Sequence, residues 1–229
     1  MPASASYPTV AIVIPALNEE QSLPLVLADL PPVGRIFVVD NGSTDRTAEL
    51  AAVAGATVLT QPVRGYGSAC QVGIAAAATW GAQIIVILDA DYSDHPEELP
   101  LLVDPILAGR ADMVLGDRGP LAEPGALLPH QRFGNRLATF LLRRLTGQRY
   151  RDMGPFRAIR AEALLAMQMR DPNYGWNVEM QMKAARAGLR ILEVKVHYRK
   201  RVGESKISGT LRGSVNAGVK IVRAVRTYA

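Results

Sequence analysis

Two carboxylates one residue apart, Asp89 and Asp91 on either side of Ala90, close the apolar run Ile84-Ile85-Val86-Ile87-Leu88. Carboxylates thrown out of the end of a buried strand are hard oxygen donors suited to Mg²⁺ or Mn²⁺. A divalent ion held there would turn the repulsion between carboxylate and diphosphate into a bridge and stabilise a departing phosphate. The same pair suits a second role, capping the helix that begins near His95-Pro96-Glu97, and the spacing alone leaves both readings open. Asp40 ends another apolar stretch, Arg35 to Val39, where a carboxylate can accept hydrogen bonds from a nucleobase or a ribose. The glycines of Arg64-Gly65-Tyr66-Gly67 carry no Cβ, so backbone N–H groups there can come close to a ligand.

These residues need elements to position them, and the hydrophobic period supplies those elements. Residues 9–14 read as a buried strand stopped by Pro15, and 19–30 has the apolar spacing of a helix. A second strand spans 35–39; Gly42 permits a tight turn after it, and Ser43 or Thr44 caps a helix through Ala54. There follow a short strand at 56–60, an alanine-rich helix to Trp80, a strand at 83–88, a helix over 96–108 and a strand at 112–115. Strand and helix alternating with short connections over residues 1–116 predict an α/β fold, a mostly parallel central sheet flanked by helices. In such sheets ligands bind beyond the carboxyl ends of the strands, the edge that gathers Pro15 to Glu19, Asp40, Arg64 to Gly67 and Asp89 to Asp91. Gly119–Pro129, rich in Pro and Gly, reads as a mobile loop between two halves of one domain, 1–116 and 117–229.

At 229 residues the chain can enclose one core of ordinary size with a C-terminal elaboration. A hydrophobic fraction of 48% and a charged fraction of 21% are ordinary for a globular protein, and the single cysteine, Cys70, excludes an intrachain disulfide. No apolar run approaches the roughly 18 residues of a membrane span, and Met1 to Pro8 lacks the pattern of a signal peptide, so a cytoplasmic location is expected. The net charge of +5 conceals an asymmetry: residues 1–116 hold 4 Lys and Arg against 13 Asp and Glu, a net −9, while 117–229 hold 22 against 8, a net +14. An acidic half able to hold a cation, joined to a basic half able to hold anions, fits a site for metal and phosphates together. Nucleic acid is not an expected partner, because aromatics make up 6% of the chain, the cations are dispersed, and RNA-binding and zinc-finger signatures are absent. Gly65-x-Gly67-x-x-Cys70 lacks the third glycine of a dinucleotide fingerprint and follows the third strand, and no P-loop occurs, which demotes hydride transfer and P-loop chemistry.

Five motifs in order resemble glycosyltransferase family 2 over nearly the whole chain: Val13-Ile14-Pro15-Ala16-Leu17-Asn18-Glu19-Glu20, Val38-Val39-Asp40-Asn41-Gly42-Ser43-Thr44-Asp45, Arg64-Gly65-Tyr66-Gly67, Asp89-Ala90-Asp91 and Arg201-Val202-Gly203-Glu204-Ser205-Lys206. The third and fifth resemble its branch of polyprenyl-phosphate (dolichol-phosphate) mannosyl- and glucosyltransferases. The resemblance implies a Rossmann-like, nucleotide-diphospho-sugar transferase (GT-A) fold whose Asp-x-Asp carries the metal that bridges the donor diphosphate. By position it implies that Pro15, Asn18, Glu19 and Asp40 line the nucleoside pocket with Arg64 and Gly65 near it. Asp89, with Ala90, would lie by the ribose or the metal, and Asp91 would be the principal ligand of Mg²⁺ or Mn²⁺. Arg201, Ser205 and Lys206 would neutralise the leaving nucleotide. One departure stands out: many relatives place Gln two residues after the second Asp, where it joins the metal shell, and here Ser93 offers only a weaker hydroxyl ligand. A nucleotidyltransferase would share fold and metal, but its glycine-rich, Arg-bearing loop after the first strand is replaced here by Pro15-Ala16-Leu17-Asn18-Glu19.

In the basic half, Gly116-Asp117-Arg118 stands where relatives often have Gly-Ser-Arg, and Arg118 with Arg132 and Arg136 is a candidate clamp for an acceptor phosphate. Arg132 and Arg136, at i,i+4 on a helix expected to bury Phe133, Leu137 and Phe140, are equally readable as solvated arginines. Glu179 occupies the place where the family often carries a catalytic base. It also opens a helix with Met180, Met182 and Ala185, so a carboxylate favoured by the helix dipole is the other reading. Trp176 and Tyr174 either stack on a sugar ring or pack, and His197 reads better as a satisfied histidine than as a third metal ligand. Over 207–227, Ile207, Leu211, Val215, Val222 and Val225 share a helix face opposite Arg212, Lys220, Arg223 and Arg226, which suits either peripheral contact with an anionic bilayer or a core-covering helix. The expected activity is inverting, metal-dependent transfer of a hexose from a nucleotide-diphosphate sugar, UDP-glucose first and GDP-mannose second, to a polyprenyl phosphate or related acceptor. A non-catalytic nucleotide-sugar-binding module is the alternative class.

Overall fold

The computed structural model describes residues 6–173 and 175–203. Its first half alternates β1 (Tyr7–Ala16), α1 (Leu23–Asp29), β2 (Val33–Asp40), α2 (Thr47–Val53), β3 (Thr57–Thr60), α3 (Tyr66–Trp80), β4 (Ile84–Ile87) and α4 (Leu99–Leu107). There follow β5 (Met113–Ala122), α5 (Pro129–Thr146), β6 (Arg157–Arg160), α6 (Ala161–Ala166), α7 (Trp176–Arg186) and β7 (Ile191–Tyr198). The strands share one sheet in the order β3-β2-β1-β4-β6-β5-β7. β1 pairs in parallel with β2 and β4, β2 with β3, and β5 with β7, whereas β6 runs antiparallel between β4 and β5.

The two-residue period of the central strands sorts their side chains onto two helical layers. Ala11, Val13, Ile85 and Ile87 join Ala69, Cys70 and Ile74 of α3 and Trp176 and Met180 of α7. Val10, Ile12, Ile14, Ile84 and Val86 join Leu23 and Val26 of α1, Ala51 of α2 and Leu102 of α4. β1 and β4 are covered on both faces, which is why they read as unbroken apolar runs. Each fully buried aliphatic side chain there contributes about 1.5–3 kcal/mol. From β1 the chain moves outward to β2 and β3, then returns to lay β4 on the other edge of β1. That reversal opens a crevice outside the carboxyl ends of β1 and β4, where open α/β sheets bind ligands.

Several expectations are corrected. The first helix starts at Leu23 rather than at residue 19, because the peptide groups of Glu19 and Glu20 donate to Thr47 Oγ1 and Asp45 Oδ2 instead of closing a helical turn. The expected mobile loop is strand in its first part: β5 continues to Ala122 by pairing Leu121 and Ala122 with His197 and Tyr198 of β7. β6, with the sequence Arg-Ala-Ile-Arg, shows no period of its own and is held by its two neighbours. On α5 the buried residues are Ala138 and Leu142, whereas Phe133, Leu137 and Phe140 are 70%, 37% and 54% exposed. The side expected to be buried therefore faces outward. Among the described residues no helix is long and apolar enough to cross a membrane. Tyr174, Ser205, Lys206 and the amphipathic stretch 207–227 lie outside the described residues.

Candidate active site

The carboxyl ends of β1 and β2 are tied together by side chains from the first two motifs. Asn18, held at φ 53°, receives the Ser43 hydroxyl as acceptor for its own N–H at 2.9 Å and accepts the Thr44 N–H on Oδ1 at 2.8 Å. Asp40 Oδ1 accepts the Ser43 N–H at 3.0 Å. Asn18 and Asp40 thus shape the turn as well as edging the crevice. Asn41, which the sequence did not single out, is buried and donates to the carbonyls of Gln61 and Val63 while accepting the Gly65 N–H at 2.8 Å. It fixes the loop carrying Arg64, whose side chain is exposed. A cavity of about 410 Å³ lies beside these loops, lined by Asn18, Glu19, Ser22, Asp45, Val202 and Gly203. Pro15, Asp40, Arg64 and Gly65 are not part of its lining.

The glycines of the third motif do something the sequence did not suggest. A Cβ on Gly65, at φ 155°, would stand 2.2 Å from the Pro172 carbonyl oxygen, and one on Gly67 would stand 1.9 Å from that of Asp171. The close approach is to the chain's own backbone. The 170–172 segment is in turn held by Glu179, whose carboxylate accepts the N–H groups of Arg170 and Asp171 at 2.8 and 2.7 Å and pairs with Lys183 Nζ at 2.7 Å. Glu179 is fully buried in the first turn of α7. With its oxygens spent on these partners, the helix-terminal reading fits it and the catalytic-base expectation does not. Trp176 is 1% exposed and packs within the core. His197 Nδ1 meets Glu98 Oε1, the partnership expected of a satisfied histidine.

After β4 the chain turns through Asp89-Ala90-Asp91-Tyr92, with Tyr92 at φ 60°. Asp91 Oδ1 accepts both the N–H and the hydroxyl of Ser93, at 3.0 and 2.5 Å. Ser93, expected as a weak ligand, orients Asp91 instead. The remaining oxygen, Oδ2, faces Arg201 Nη1 at 3.3 Å, and Arg201 Nη2 reaches Glu19 Oε1 at 3.0 Å. The segment after β7 that carries Arg201 is strapped across this turn: Arg199 N donates to the Ser93 carbonyl at 2.9 Å and Val202 N to the Asp91 carbonyl at 3.0 Å. Asp89 is half-buried, with Oδ1 shielded from solvent and without a hydrogen-bond partner among the described residues. Burial, then the charge of Asp91, pushes it up to about 7, against the pull of Arg118 and Arg201. Asp94, not foreseen as part of the site, is 1% exposed with both oxygens unpartnered, and burial together with Asp89 raises it well above the usual carboxylate range.

Buried carboxylates with unpartnered oxygens call for positive charge. Among the described residues no three His, Cys, Asp or Glu side chains converge as a ready-made metal cage. That donor set suits Mg²⁺ or Mn²⁺ held by one or two carboxylates and completed by phosphate oxygens and water. Asp91 and Asp89 fit such an ion.

Arg118 lies on the basic side of this turn. Its Nε and Nη2 donate to Asp152 Oδ2 and Oδ1 at 2.7 and 2.8 Å, and its guanidinium stacks 4.8 Å over the Tyr198 ring. Burial pushes Asp152 up, but the charge and hydrogen bonds of Arg118 outweigh it and leave its carboxyl below the usual range. Asp152 and Tyr198 were missed because nothing in their immediate sequence separates a buried partner from a surface one. Arg132 and Arg136 are exposed on α5, Arg132 Nε donating to the Leu127 carbonyl; no contact joins them to Arg118.

The profile of Glycosyl transferase family 2 matches residues 11–166, which span the crevice and both Asp-bearing strand ends. The chain belongs to glycosyltransferase family 2. Within that family it is 44% identical over 210 residues to an uncharacterized glycosyltransferase of Mycobacterium tuberculosis, covering 91% of this chain and 94% of that one. It is 34% identical over 226 residues to the dolichyl-phosphate hexose transferase of Haloferax volcanii, covering 95% and 94%. It is 32% identical over 228 residues to the undecaprenyl-phosphate mannosyltransferase of Micrococcus luteus, covering 92% of each. Among solved structures it is similar to glucosyl-3-phosphoglycerate synthase from Mycobacterium tuberculosis in complex with Mn²⁺ and UDP-glucose, with a TM-score of 0.74 at 26% identity over 96% of this chain and 78% of that one. The fold is that of the GT-A glycosyltransferases, and this family 2 member has the mixed, mostly parallel sheet described above.

Proposed function

We propose that this glycosyltransferase transfers a hexose, with inversion, from a nucleotide-diphosphate sugar to a polyprenyl phosphate, and that UDP-glucose is the donor before GDP-mannose. The observation that carries the reading is the seat of Asp91: one oxygen fixed by Ser93, the other turned to Arg201, beside Asp89, whose Oδ1 has no partner among the described residues. Asp91 with Asp89 would hold Mg²⁺ or Mn²⁺, which when bound neutralises the departing diphosphate. Pro15, Asn18, Glu19, Asp40, Arg64 and Gly65 would surround the nucleoside. Arg201, with Ser205 and Lys206, would take up the negative charge of the leaving group. The acceptor oxygen attacks the anomeric carbon, the bond from that carbon to the diphosphate oxygen breaks, and its electron pair leaves with the nucleoside diphosphate.

The acceptor assignment draws on Glu179. A hydroxyl acceptor requires a base, whereas a phosphate is already ionised and needs none. A Glu179 committed to backbone N–H groups and Lys183 supports the second case. Arg118, held by Asp152, would meet the acceptor phosphate. The relatives named for dolichyl and undecaprenyl phosphate support a lipid-linked acceptor, and the structure similar to this one in complex with UDP-glucose supports the donor. We read residues 1–229 as one domain, 1–116 binding the donor and 117–229 the acceptor, with peripheral contact to the inner face of a membrane.

Calorimetry with UDP, GDP, UDP-glucose and GDP-mannose, each with and without Mn²⁺, tests the donor. Metal-dependent binding of the uridine pair is the expected result; tighter binding of the guanosine pair would shift the donor to GDP-mannose, and no binding of any of the four would sink the scheme. Transfer of labelled hexose to a short-chain polyprenyl phosphate then separates an enzyme from a binding module.

A further inference from the structure

The guanidinium of Arg201 spans the two carboxylates on which the donor site depends. Nη2 lies 3.0 Å from Glu19 Oε1 and Nη1 3.3 Å from Asp91 Oδ2. Asp91 Oδ1 already accepts two hydrogen bonds from Ser93, so Oδ2 is the oxygen left for a cation. A metal–oxygen bond to Mg²⁺ or Mn²⁺ is about 2.0–2.2 Å. A guanidinium nitrogen 3.3 Å from the same oxygen competes with that ion for its lone pairs and repels it. The Arg201 seat is also incomplete, because its buried Nε has no hydrogen-bond partner among the described residues. It is delivered to Asp91 by the backbone straps from Arg199 to Ser93 and from Val202 to Asp91, and its ion-pair partner Glu19 and its neighbour Val202 line the cavity.

We propose that Arg201 is the resident counter-cation of Asp91, a stand-in that metal and nucleotide displace together. This rests on the donor and metal reading above. Without donor, the single charge of Arg201 offsets Asp91 and Glu19, and a lone divalent ion must expel it into water. With donor, the diphosphate offers the expelled guanidinium a bidentate anion, so the group that obstructs the metal becomes the group that holds the leaving phosphates. Metal and nucleotide binding are then one coupled event, each raising the affinity for the other by the same factor. The arrangement keeps a metal from settling on the turn before a donor is present.

The test measures Mn²⁺ affinity of the full chain without nucleotide, and UDP affinity with and without saturating Mn²⁺, for the wild type, Arg201→Gln and Arg201→Lys. Arg201→Gln is expected to bind Mn²⁺ alone roughly five- to hundredfold more tightly, the ordinary range of coupling between sites, and to lose most of the enhancement that Mn²⁺ gives to UDP binding. Arg201→Lys keeps the charge but not the fork, so its Mn²⁺ affinity should fall between the two; it carries the test should the glutamine variant melt at a much lower temperature. Equal or weaker Mn²⁺ binding by both variants, in a wild type that binds Mn²⁺ and UDP, overturns the counter-cation role and leaves the functional reading standing. A wild type that binds neither removes both.

Discussion

Asp91 and Glu179 are both carboxylates at functional-looking positions, and their surroundings separate them. Asp91 has one oxygen held by Ser93 and the other turned to the cation of Arg201, and Asp91→Ala should abolish metal-dependent hexose transfer with a melting temperature near that of the wild type; full turnover in that variant would refute the metal assignment. Glu179 spends its oxygens on the N–H groups of Arg170 and Asp171 and on Lys183. Replacing it by Gln weakens charge-assisted bonds to buried donors, a loss of about 1–3 kcal/mol. Glu179→Gln should therefore lower the melting temperature while leaving kcat for a phosphate acceptor near normal. A hundredfold fall in kcat without thermal destabilisation would restore it as the base. The motif around Asp89 and Asp91 was legible in the sequence because the residue types and spacing are themselves the signal. The commitments of Glu179 to the backbone were not, since the N–H groups of Arg170 and Asp171 lie nine and eight residues away in a segment without pattern.

At the scale of elements, the loop before α3 and the turn before α7 are pressed together, and glycine permits it. A Cβ at position 67 would lie 1.9 Å from the Asp171 carbonyl oxygen, so Gly67→Ala must push backbone apart, at a cost of about 1–3 kcal/mol. Gly134, inside α5 with nothing within 4 Å of a built Cβ, is the control: Gly134→Ala should stabilise by about 0.5–1 kcal/mol. Chemical denaturation of the two variants checks the opposite signs. At the start of β5, Asp112 is held well below the usual carboxylate range, chiefly by its hydrogen bond to Arg190 and further by Arg160, despite some burial. A depressed carboxyl contributes stability that is complete above its unfolded value of about 4 and is lost as pH falls below that value. Asp112→Asn should flatten this part of the acid limb, measured as melting temperature against pH. Element existence was readable in the first half from period alone. β6 and the outer part of β5 were not, because their strand character comes from hydrogen-bonding neighbours distant in sequence.

Across the whole molecule, an acidic half and a basic half meet at the Asp turn, and Arg201 of the second reaches Glu19 and Asp91 of the first. The outer side of α5 adds Phe133, Leu137 and Phe140 beside Arg132, Arg136 and Arg144, an apolar stripe with cationic flanks suited to an anionic lipid surface. We predict that the protein sediments with vesicles rich in anionic lipid, and that Phe133→Ser with Phe140→Ser reduces this several-fold while donor binding in solution is unchanged. Equal sedimentation of the double variant would discard α5 as the contact.

The sequence by itself determined the α/β class and marked Asp89-Ala90-Asp91 as the candidate site, because buried strands and chemically specific motifs are encoded locally, in hydrophobic period and residue type. Tertiary structure alone decided which candidates are buried and which partners each one meets. It buried Trp176 and Glu179, turned the apolar stripe of α5 outward, made Ser93 and Asp152 the holders of Asp91 and Arg118, and brought Arg201 across 182 residues of chain to Glu19. Burial and partnership are properties of pairs distant in sequence, and no local pattern carries them.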